Sequence, residues 1–166
     1  SWLLAENWVD KDGGNRLPIE TDCVVISNGC PAYPTLTLAS AAFHQLQIGP
    51  GAELTIANTP ITIASDLVCE GKLVLSGTTV LSAAGDVTLA AGSLTAGAES
   101  VFALVGEDEQ SADLGGNAFN RITVTGPSVT FAHGFSTTFF RCEQPRAVEL
   151  RFSKGDTYAA SDLRML

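Results

Sequence analysis

Several residue classes are scarce in this 166-residue chain. Charged residues make up only 16% and aromatic residues 7%, and nine Lys and Arg residues face 18 Asp and Glu residues. The resulting net charge of −9 argues against nucleic acid or an anionic membrane surface as a partner, because both need clustered cations. The longest apolar runs are about five residues, far short of the roughly 20 that a membrane-spanning helix needs, so we expect no membrane insertion.

The chain is instead rich in apolar residues and turn formers. Hydrophobic residues reach 45%, and there are 16 glycines. This much apolar material excludes disorder, and the length suits one compact domain. The shortage of Lys, Glu and heptad patterning excludes a long coiled coil.

The strongest signal is a repeat of short β-type segments in the stretch 45–95. Each segment has apolar residues flanking a central one, which is the period-2 pattern of a strand, and Gly, Asn, Pro, Asp and Ser lie between them. Every third segment is equivalent, so that Leu54 recurs as Leu73 and Asp66 recurs as Asp86 at nearly the same interval. The segments are 46–48, 54–56, 61–63, 67–69, 73–75, 79–81, 87–89 and 94–95.

Three short strands in about 20 residues predict an all-β fold, a right-handed single-stranded parallel β-helix. A three-residue strand cannot bury its side chains alone, so equivalent strands must stack, rung upon rung. Leucine-rich repeats have a similar period but need a helix and a fixed Asn in each repeat. A β-sandwich is the other alternative, although its turns are usually spaced about 8–12 residues apart.

The two ends of the repeat differ from its middle. Trp2 and Trp8 precede it and are suited to an N-terminal cap over the first rung. We therefore divide the single domain into a cap with the first strands (1–40), regular rungs (41–105), an acidic surface loop (106–118) and aromatic-rich C-terminal rungs (119–166). No stop signal is visible near the C-terminus, which suggests that the natural protein continues.

The four cysteines, Cys23, Cys30, Cys69 and Cys142, form no C-x-x-C pair, so zinc and thioredoxin-type sites are not supported. An even number in a Lys-poor chain fits two disulfides in an exported protein. Because Cys23 and Cys30 flank a turn-rich segment, we pair these two, and Cys69 with Cys142. The alternative is four buried thiols.

The segments with Asn7-Trp8, Asp22-Cys23-Val24-Val25-Ile26 and Gly51-Ala52-Glu53-Leu54 resemble the start of large secreted bacterial β-helix proteins, the autotransporter-like and haemagglutinin-like adhesins. The segments 119–124 and 129–131 are similar to a rung that recurs in such proteins. The resemblance covers most of the chain and implies a secreted or cell-surface protein with an adhesive or structural role. It rests on residues that set architecture, so it implies no catalytic residues.

Three groups of residues are candidate sites. Trp2, Trp8 and Tyr33 could form a platform on which sugars stack, although capping explains the two tryptophans as well. Asp10, Asp12 and Asn15 lie in a Gly-rich turn and could offer oxygens to calcium, or they could form an ordinary turn. The third group is a run of acids that could gather a cation or form a hydrated loop, namely Glu107, Asp108, Glu109 and Asp113.

No catalytic motif stands out, since His44 and His133 are far apart and no G-x-S-x-G or H-E-x-x-H occurs. We therefore expect a non-enzymatic secreted or cell-surface module that presents its faces to an extracellular glycan or protein surface, with no cofactor. The alternative is a carbohydrate-binding or polysaccharide-degrading β-helix domain. Six of the nine basic residues lie in the last third of the chain, where an anionic sugar could bind.

Overall fold

The computed structural model describes residues 2–143 and 148–165. These residues form one 3₁₀ turn, Ala5–Asn7, and eighteen strands. In chain order the strands are β1 (Cys23–Ile26), β2 (Thr35–Leu36), β3 (Ala41–Phe43), β4 (Gln45–Ile48), β5 (Glu53–Ala57), β6 (Pro60–Ile63), β7 (Leu67–Cys69), β8 (Lys72–Ser76), β9 (Val80–Ala83), β10 (Val87–Leu89), β11 (Leu94–Ala96), β12 (Val101–Leu104), β13 (Glu109–Asp113), β14 (Ala118–Val124), β15 (Ser128–His133), β16 (Phe135–Cys142), β17 (Glu149–Phe152) and β18 (Tyr158–Met165).

The strands wind into a parallel β-solenoid, as the repeat predicts. Sheet 1 has the order β1-β4-β7-β10-β13-β15-β17, sheet 2 the order β11-β8-β5-β2, and sheet 3 the order β18-β16-β14-β12-β9-β6-β3. Each inner strand of a sheet pairs in parallel with the equivalent strands one turn before and after it. The interval between equivalent segments of the sequence is therefore the length of one turn.

Continuous columns of apolar side chains fill the interior. In sheet 1 one column runs Val24, Leu46, Leu67, Val87, Ala112, Phe131 and Phe152. Leu46, Leu67 and Phe131 have no exposed surface, and burying a side chain of this size stabilises the fold by roughly 1.5–3 kcal/mol. Within one strand, the residue between two inward-facing residues faces solvent. A short segment of alternating apolar and polar residues is therefore sufficient to specify each strand.

The cross-section changes along the stack. Sheet 2 ends at β11, while the strands of sheet 3 lengthen from three residues in β3 to eight in β16 and β18. The last turns therefore consist of two sheets around a core of phenylalanine rings. Phe131 contacts Phe135, Phe140 and Phe152, with ring centroids 5.0, 6.1 and 5.3 Å away.

Where sheet 2 ends, the side chain of Asn117 forms hydrogen bonds with the backbone next to β11. Its side chain is buried, its Oδ1 accepts the Leu94 N–H at 3.2 Å, and its Nδ2 donates to the carbonyls of Ala90 at 2.9 Å and Leu114 at 2.8 Å. One amide thus bonds to three backbone groups, and it is the partner of the Leu94 N–H in β11. Such groups are costly to bury without a partner.

The prediction of an acidic surface loop over 106–118 is wrong. β13 lies within this segment and pairs with β10 and β15, and Gln110, Ala112 and Asn117 are buried. The strand is hard to recognise because inward positions in this segment carry amides whose polar groups bond to backbone. Gln110 Nε2, for example, donates to the carbonyl of Ala83 at 3.0 Å.

The N-terminal end of the stack is covered. Trp2 is 3% exposed and packs on Phe43 of β3, with ring centroids 5.3 Å apart. The Trp8 indole N–H donates to the Trp2 carbonyl at 2.9 Å. Arg16 forms a bidentate pair with Asp22 at 2.6 Å, and this pair, with the Ile19 N–H, holds the pKa of Asp22 below its ordinary value.

The two predicted disulfides are absent, since all four cysteines are free thiols. Cys69 stacks on Ile48 in the third strand of sheet 1, whereas Cys142 stacks on Val124 near the far end of sheet 3. Turns are about 4.8 Å apart, so these two cysteines are well beyond the ~7 Å that a disulfide allows. Cys23 and Cys30 are exposed, and the Cys30 thiol donates to the Ser27 carbonyl at 3.5 Å.

Thiol labelling should separate the cysteines into two pairs. Burial raises the pKa of Cys69 to about 11 and also raises that of Cys142, so neither forms the reactive thiolate near neutral pH. In protein purified without reductant, we expect two thiols to react with an alkylating reagent before unfolding and all four in guanidinium chloride. Mass spectrometry of labelled peptides identifies the pair, and fewer than four labels after unfolding would contradict the free-thiol assignment.

Candidate ligand-binding groove

The predicted tryptophan platform does not form. Trp2 is buried against Phe43 and has no face to offer a sugar. Trp8 is half-buried and meets the Trp2 ring at a centroid distance of 4.6 Å, edge to face, while the Tyr33 hydroxyl donates to the Gly51 carbonyl at 2.6 Å. These rings therefore cover the first turn and fix a corner of the stack.

The turn proposed for calcium has its oxygens engaged elsewhere. Asp10 Oδ1 accepts the N–H groups of Asp12 at 3.0 Å and Gly14 at 2.7 Å, and Asp10 Oδ2 lies 3.6 Å from Arg16 Nε. The Asp12 carboxylate pairs with Lys11, and Asn15 is exposed. This is an Asx-type turn closed by its own backbone.

The acidic run does not act as one cluster either. Glu109 pairs with Arg151 and accepts a hydrogen bond from Thr130 Oγ1, whereas Asp113 contacts His133. Glu107 and Asp108 are exposed at the corner before β13. Within residues 2–143 and 148–165, no three His, Cys, Asp or Glu side chains come close enough to hold a metal ion.

A broad groove lies at the corner that follows sheet 1. It has a volume of about 720 Å³ and is open to solvent. Its lining comes from the corners that follow five consecutive strands of sheet 1, β7, β10, β13, β15 and β17, and from the first residues of β16 and β18 in sheet 3. Because neighbouring turns are about 4.8 Å apart, a groove across five of them is about 19 Å long.

Small residues keep this corner open. Gly115 adopts φ +58°, and a Cβ there would lie 2.1 Å from the Leu89 carbonyl oxygen. A Cβ on Gly134 would lie 2.2 Å from the Thr157 carbonyl oxygen. Only glycine allows neighbouring turns to approach this closely, and Ala90 and Ala91 continue the shallow floor.

Polar groups along the rim include a histidine held by a carboxylate. His133 Nδ1 lies 2.7 Å from Asp113 Oδ1, which also accepts the Gly115 N–H at 3.1 Å. The His133 side chain is 61% exposed and that of Asp113 is 28% exposed. With Nδ1 engaged by the carboxylate, Nε2 is the ring nitrogen that can contact a ligand.

The remaining charged rim groups are acidic, namely Glu70 and Asp156. The groove therefore combines an apolar and glycine floor with three carboxylates and one imidazole. The sequence analysis did not predict that Asp113 and His133 are in contact. Their separation along the chain equals one turn of the solenoid, and this spacing could have predicted that the two side chains lie side by side in paired strands.

Among the described residues, no helix has both the length and the apolar character needed to cross a membrane. Comparison with protein-family models, curated proteins and solved structures gives no match for this chain.

Proposed function

We propose that this chain is a non-enzymatic β-solenoid module of a secreted or cell-surface protein, and that it presents the corner groove to an extended extracellular glycan. The observation that carries this proposal is that the groove crosses five consecutive turns. The stack holds those turns in fixed register, so the groove is a preformed surface on a stiff scaffold. Preformed sites bind with a smaller loss of conformational entropy.

The shape of the groove favours a polymer over a small metabolite. Small-molecule sites usually enclose most of the ligand, whereas this groove is shallow and open along its length. Several sugar units could lie across successive turns and make one set of contacts with each. Affinity would then be spread over many weak contacts.

The charges on the rim favour neutral or basic sugars. Glu70, Asp113 and Asp156 would repel a uronate or sulfated polymer, as would the net charge of −9. Carboxylates accept hydrogen bonds from sugar hydroxyls or amines. Ala91 and Ala159 in the lining are exposed and provide apolar surface for the less polar faces of the rings.

A second function, polysaccharide degradation, is favoured by one observation. A carboxylate-held imidazole such as the Asp113–His133 pair can act as a general base. We favour the non-enzymatic function over this alternative because most of the floor of the groove is apolar. An assay for new reducing ends distinguishes the two.

Binding should be measured by calorimetry against neutral, amino-sugar and uronate oligosaccharides of increasing length. We expect affinity for the first or second class to rise with length up to about four or five units, the span of the groove, and no new reducing ends. Asp113→Asn and His133→Gln should each weaken binding by about 10-fold, the loss expected for one hydrogen bond.

The matched controls are Asp108→Asn and His44→Gln, since both residues are exposed and lie outside the groove lining. Neither should change the affinity. Preference for uronate polymers, or equal effects of groove and control variants, would contradict the proposal. Turnover that depends on His133 would replace it with the degradative function.

A further inference from the structure

The three carboxylates of the groove lie at alternate turns of the stack. Glu70 follows β7, Asp113 is the last residue of β13, and Asp156 lies in the corner after β17. Because sheet 1 has the order β7-β10-β13-β15-β17, one turn intervenes between each of these carboxylates and the next. Turns are about 4.8 Å apart, so neighbouring carboxylates are separated by about 10 Å along the axis of the stack.

These carboxylates have no lysine or arginine beside them. Elsewhere in the stack, Glu53 is paired with Lys72 of the next turn at 3.4 Å. Among the described residues that line the groove, none is Lys or Arg, and Glu70 and Asp156 are exposed. The groove is therefore a negatively charged channel, and its charge is complementary to that of a cationic ligand.

The contact with His133 leaves part of the Asp113 carboxylate accessible. His133 Nδ1 and the Gly115 N–H both contact Oδ1, at 2.7 and 3.1 Å, so Oδ2 is the oxygen that can accept a hydrogen bond from a ligand. The side chain of Asp113 is 28% exposed. All three carboxylates can therefore contact a ligand that lies along the groove.

The two intervening turns present different groups. After β10 the lining consists of Ala90 and Ala91, and at the end of β15 it consists of His133 and Gly134. Neither turn contributes a carboxylate to the lining, and the small residues leave room above the floor for a bulky substituent. The groove thus alternates between acidic and non-acidic turns.

We propose that the groove binds a β-1,4-linked polymer of amino sugars through a free amine on every second unit. This inference rests on the proposed function and specifies the class of glycan. The spacing of about 4.8 Å between turns is close to the length of one unit in such an extended chain, so one sugar lies over each turn. Successive units are flipped relative to each other, which makes the same substituent face the same side at every second unit. The amines on one side therefore meet Glu70, Asp113 and Asp156 in succession.

An amine fits these positions better than a hydroxyl group does. A hydrogen bond between an ammonium group and a carboxylate is about twice as strong as one between neutral groups. A cation also offsets the repulsion among the three carboxylates, in a chain whose net charge is −9. At the intervening turns, an N-acetyl group meets no carboxylate, so free amines are needed only at alternate units.

Matched oligosaccharides test this assignment. Calorimetry near pH 7 compares the β-1,4-linked pentasaccharides of glucosamine and of N-acetylglucosamine, which differ only in whether the nitrogen is acetylated. We expect the glucosamine pentasaccharide to bind at least about 10-fold more tightly, and the difference to shrink as salt is added.

The positions of the amines test the spacing. A pentasaccharide with free amines on its first, third and fifth units should bind as tightly as the fully deacetylated one. An isomer with its three free amines on consecutive units should bind more weakly, because it can place an amine at only two of the three acidic turns. Equal binding of the two isomers would overturn the match between sugars and turns.

A double variant tests the acids themselves. Glu70→Gln with Asp156→Asn removes two charges and preserves the shape of the side chains. It should weaken binding of the glucosamine pentasaccharide at least about 10-fold and leave binding of the N-acetylglucosamine pentasaccharide unchanged. The control, Glu99→Gln with Asp108→Asn, changes the net charge equally at exposed positions outside the groove lining and should alter neither affinity.

The outcomes separate this inference from the proposed function. Equal affinity for the two pentasaccharides, or equal losses in the groove and control variants, would overturn the assignment of amino sugars while the groove remained a glycan site. Binding of no oligosaccharide, whether charged or neutral, would overturn the proposed function as well. Circular dichroism establishes that each variant is folded.

Discussion

Replacing Phe131 with alanine is expected to lower the free energy of unfolding by about 3–5 kcal/mol. Phe131 is fully buried at the centre of the C-terminal core and contacts three other phenylalanine rings. The backbone around it is fixed by parallel pairing of β15 on both sides, so the cavity cannot collapse. Guanidinium chloride unfolding followed by circular dichroism, at one protein concentration, gives the change.

Phe139→Ala is the matched control for this loss. The same ring is removed nearby, but Phe139 is only partly buried, and Arg121 lies 5.3 Å from its ring centroid. We expect a loss of about 1 kcal/mol, the value of an exposed cation–π contact and some apolar surface. Equal losses for the two variants would show that the ring column does not stabilise the last turns.

Asn117→Ala is expected to lower the free energy of unfolding by about 3 kcal/mol, although it removes only a small polar group. The Leu94 N–H would lose its partner, and the Ala90 and Leu114 carbonyls would each lose one of two bonds, since they also accept the backbone N–H groups of Ser93 and Asn117. An unsatisfied buried group costs about 1–3 kcal/mol. The same unfolding experiment measures the effect.

Two further variants make the test specific. Asn120→Ala removes a single, partly buried bond from Nδ2 to the Ser100 carbonyl, and should cost about 1 kcal/mol. Asn117→Asp keeps the acceptor for Leu94 but places a carboxylate against two carbonyls, so at neutral pH it should be at least as destabilising as alanine. Asn117→Asp behaving like the parent would contradict the assigned bonds.

The regular part of the fold follows from sequence because its rules are local. Alternation specifies each strand, and the interval of the repeat specifies which strands stack. Leu54 over Leu73 and Ile61 over Leu81 illustrate both. The register is thus contained in the repeat, and no long-range contact needs to be inferred.

The turn that contains β13 could not be recognised from the sequence because several of its inward-facing residues are polar. The chain from Phe102 to Ala112 is longer than the chain between the equivalent residues of the preceding turn, Leu81 and Val87. The longer corner before β13 breaks the period at the point where Gln110 and Asn117 replace apolar residues. Hydrophobic patterning cannot detect a buried amide whose partners are backbone carbonyls on another turn.

The disulfide prediction failed for a related reason. Cys69 and Cys142 occupy positions where the neighbouring turns have Ile48, Leu89 and Val124. In these positions cysteine acts as a small apolar residue, and the count of cysteines alone cannot distinguish this role from cross-linking. The argument for export that was based on disulfides therefore no longer holds, and the proposal of a secreted or cell-surface protein rests on the resemblance alone.

The interior columns also determine how this protein can change in size during evolution. Duplication or deletion of a whole turn leaves every remaining column in phase, since each turn contacts only its two neighbours. A single residue gained within a strand would instead rotate the following side chains to the opposite face. Length variation among descendants of this chain should therefore occur in steps of one turn, or at corners such as the one before β13, where additional residues are already accommodated.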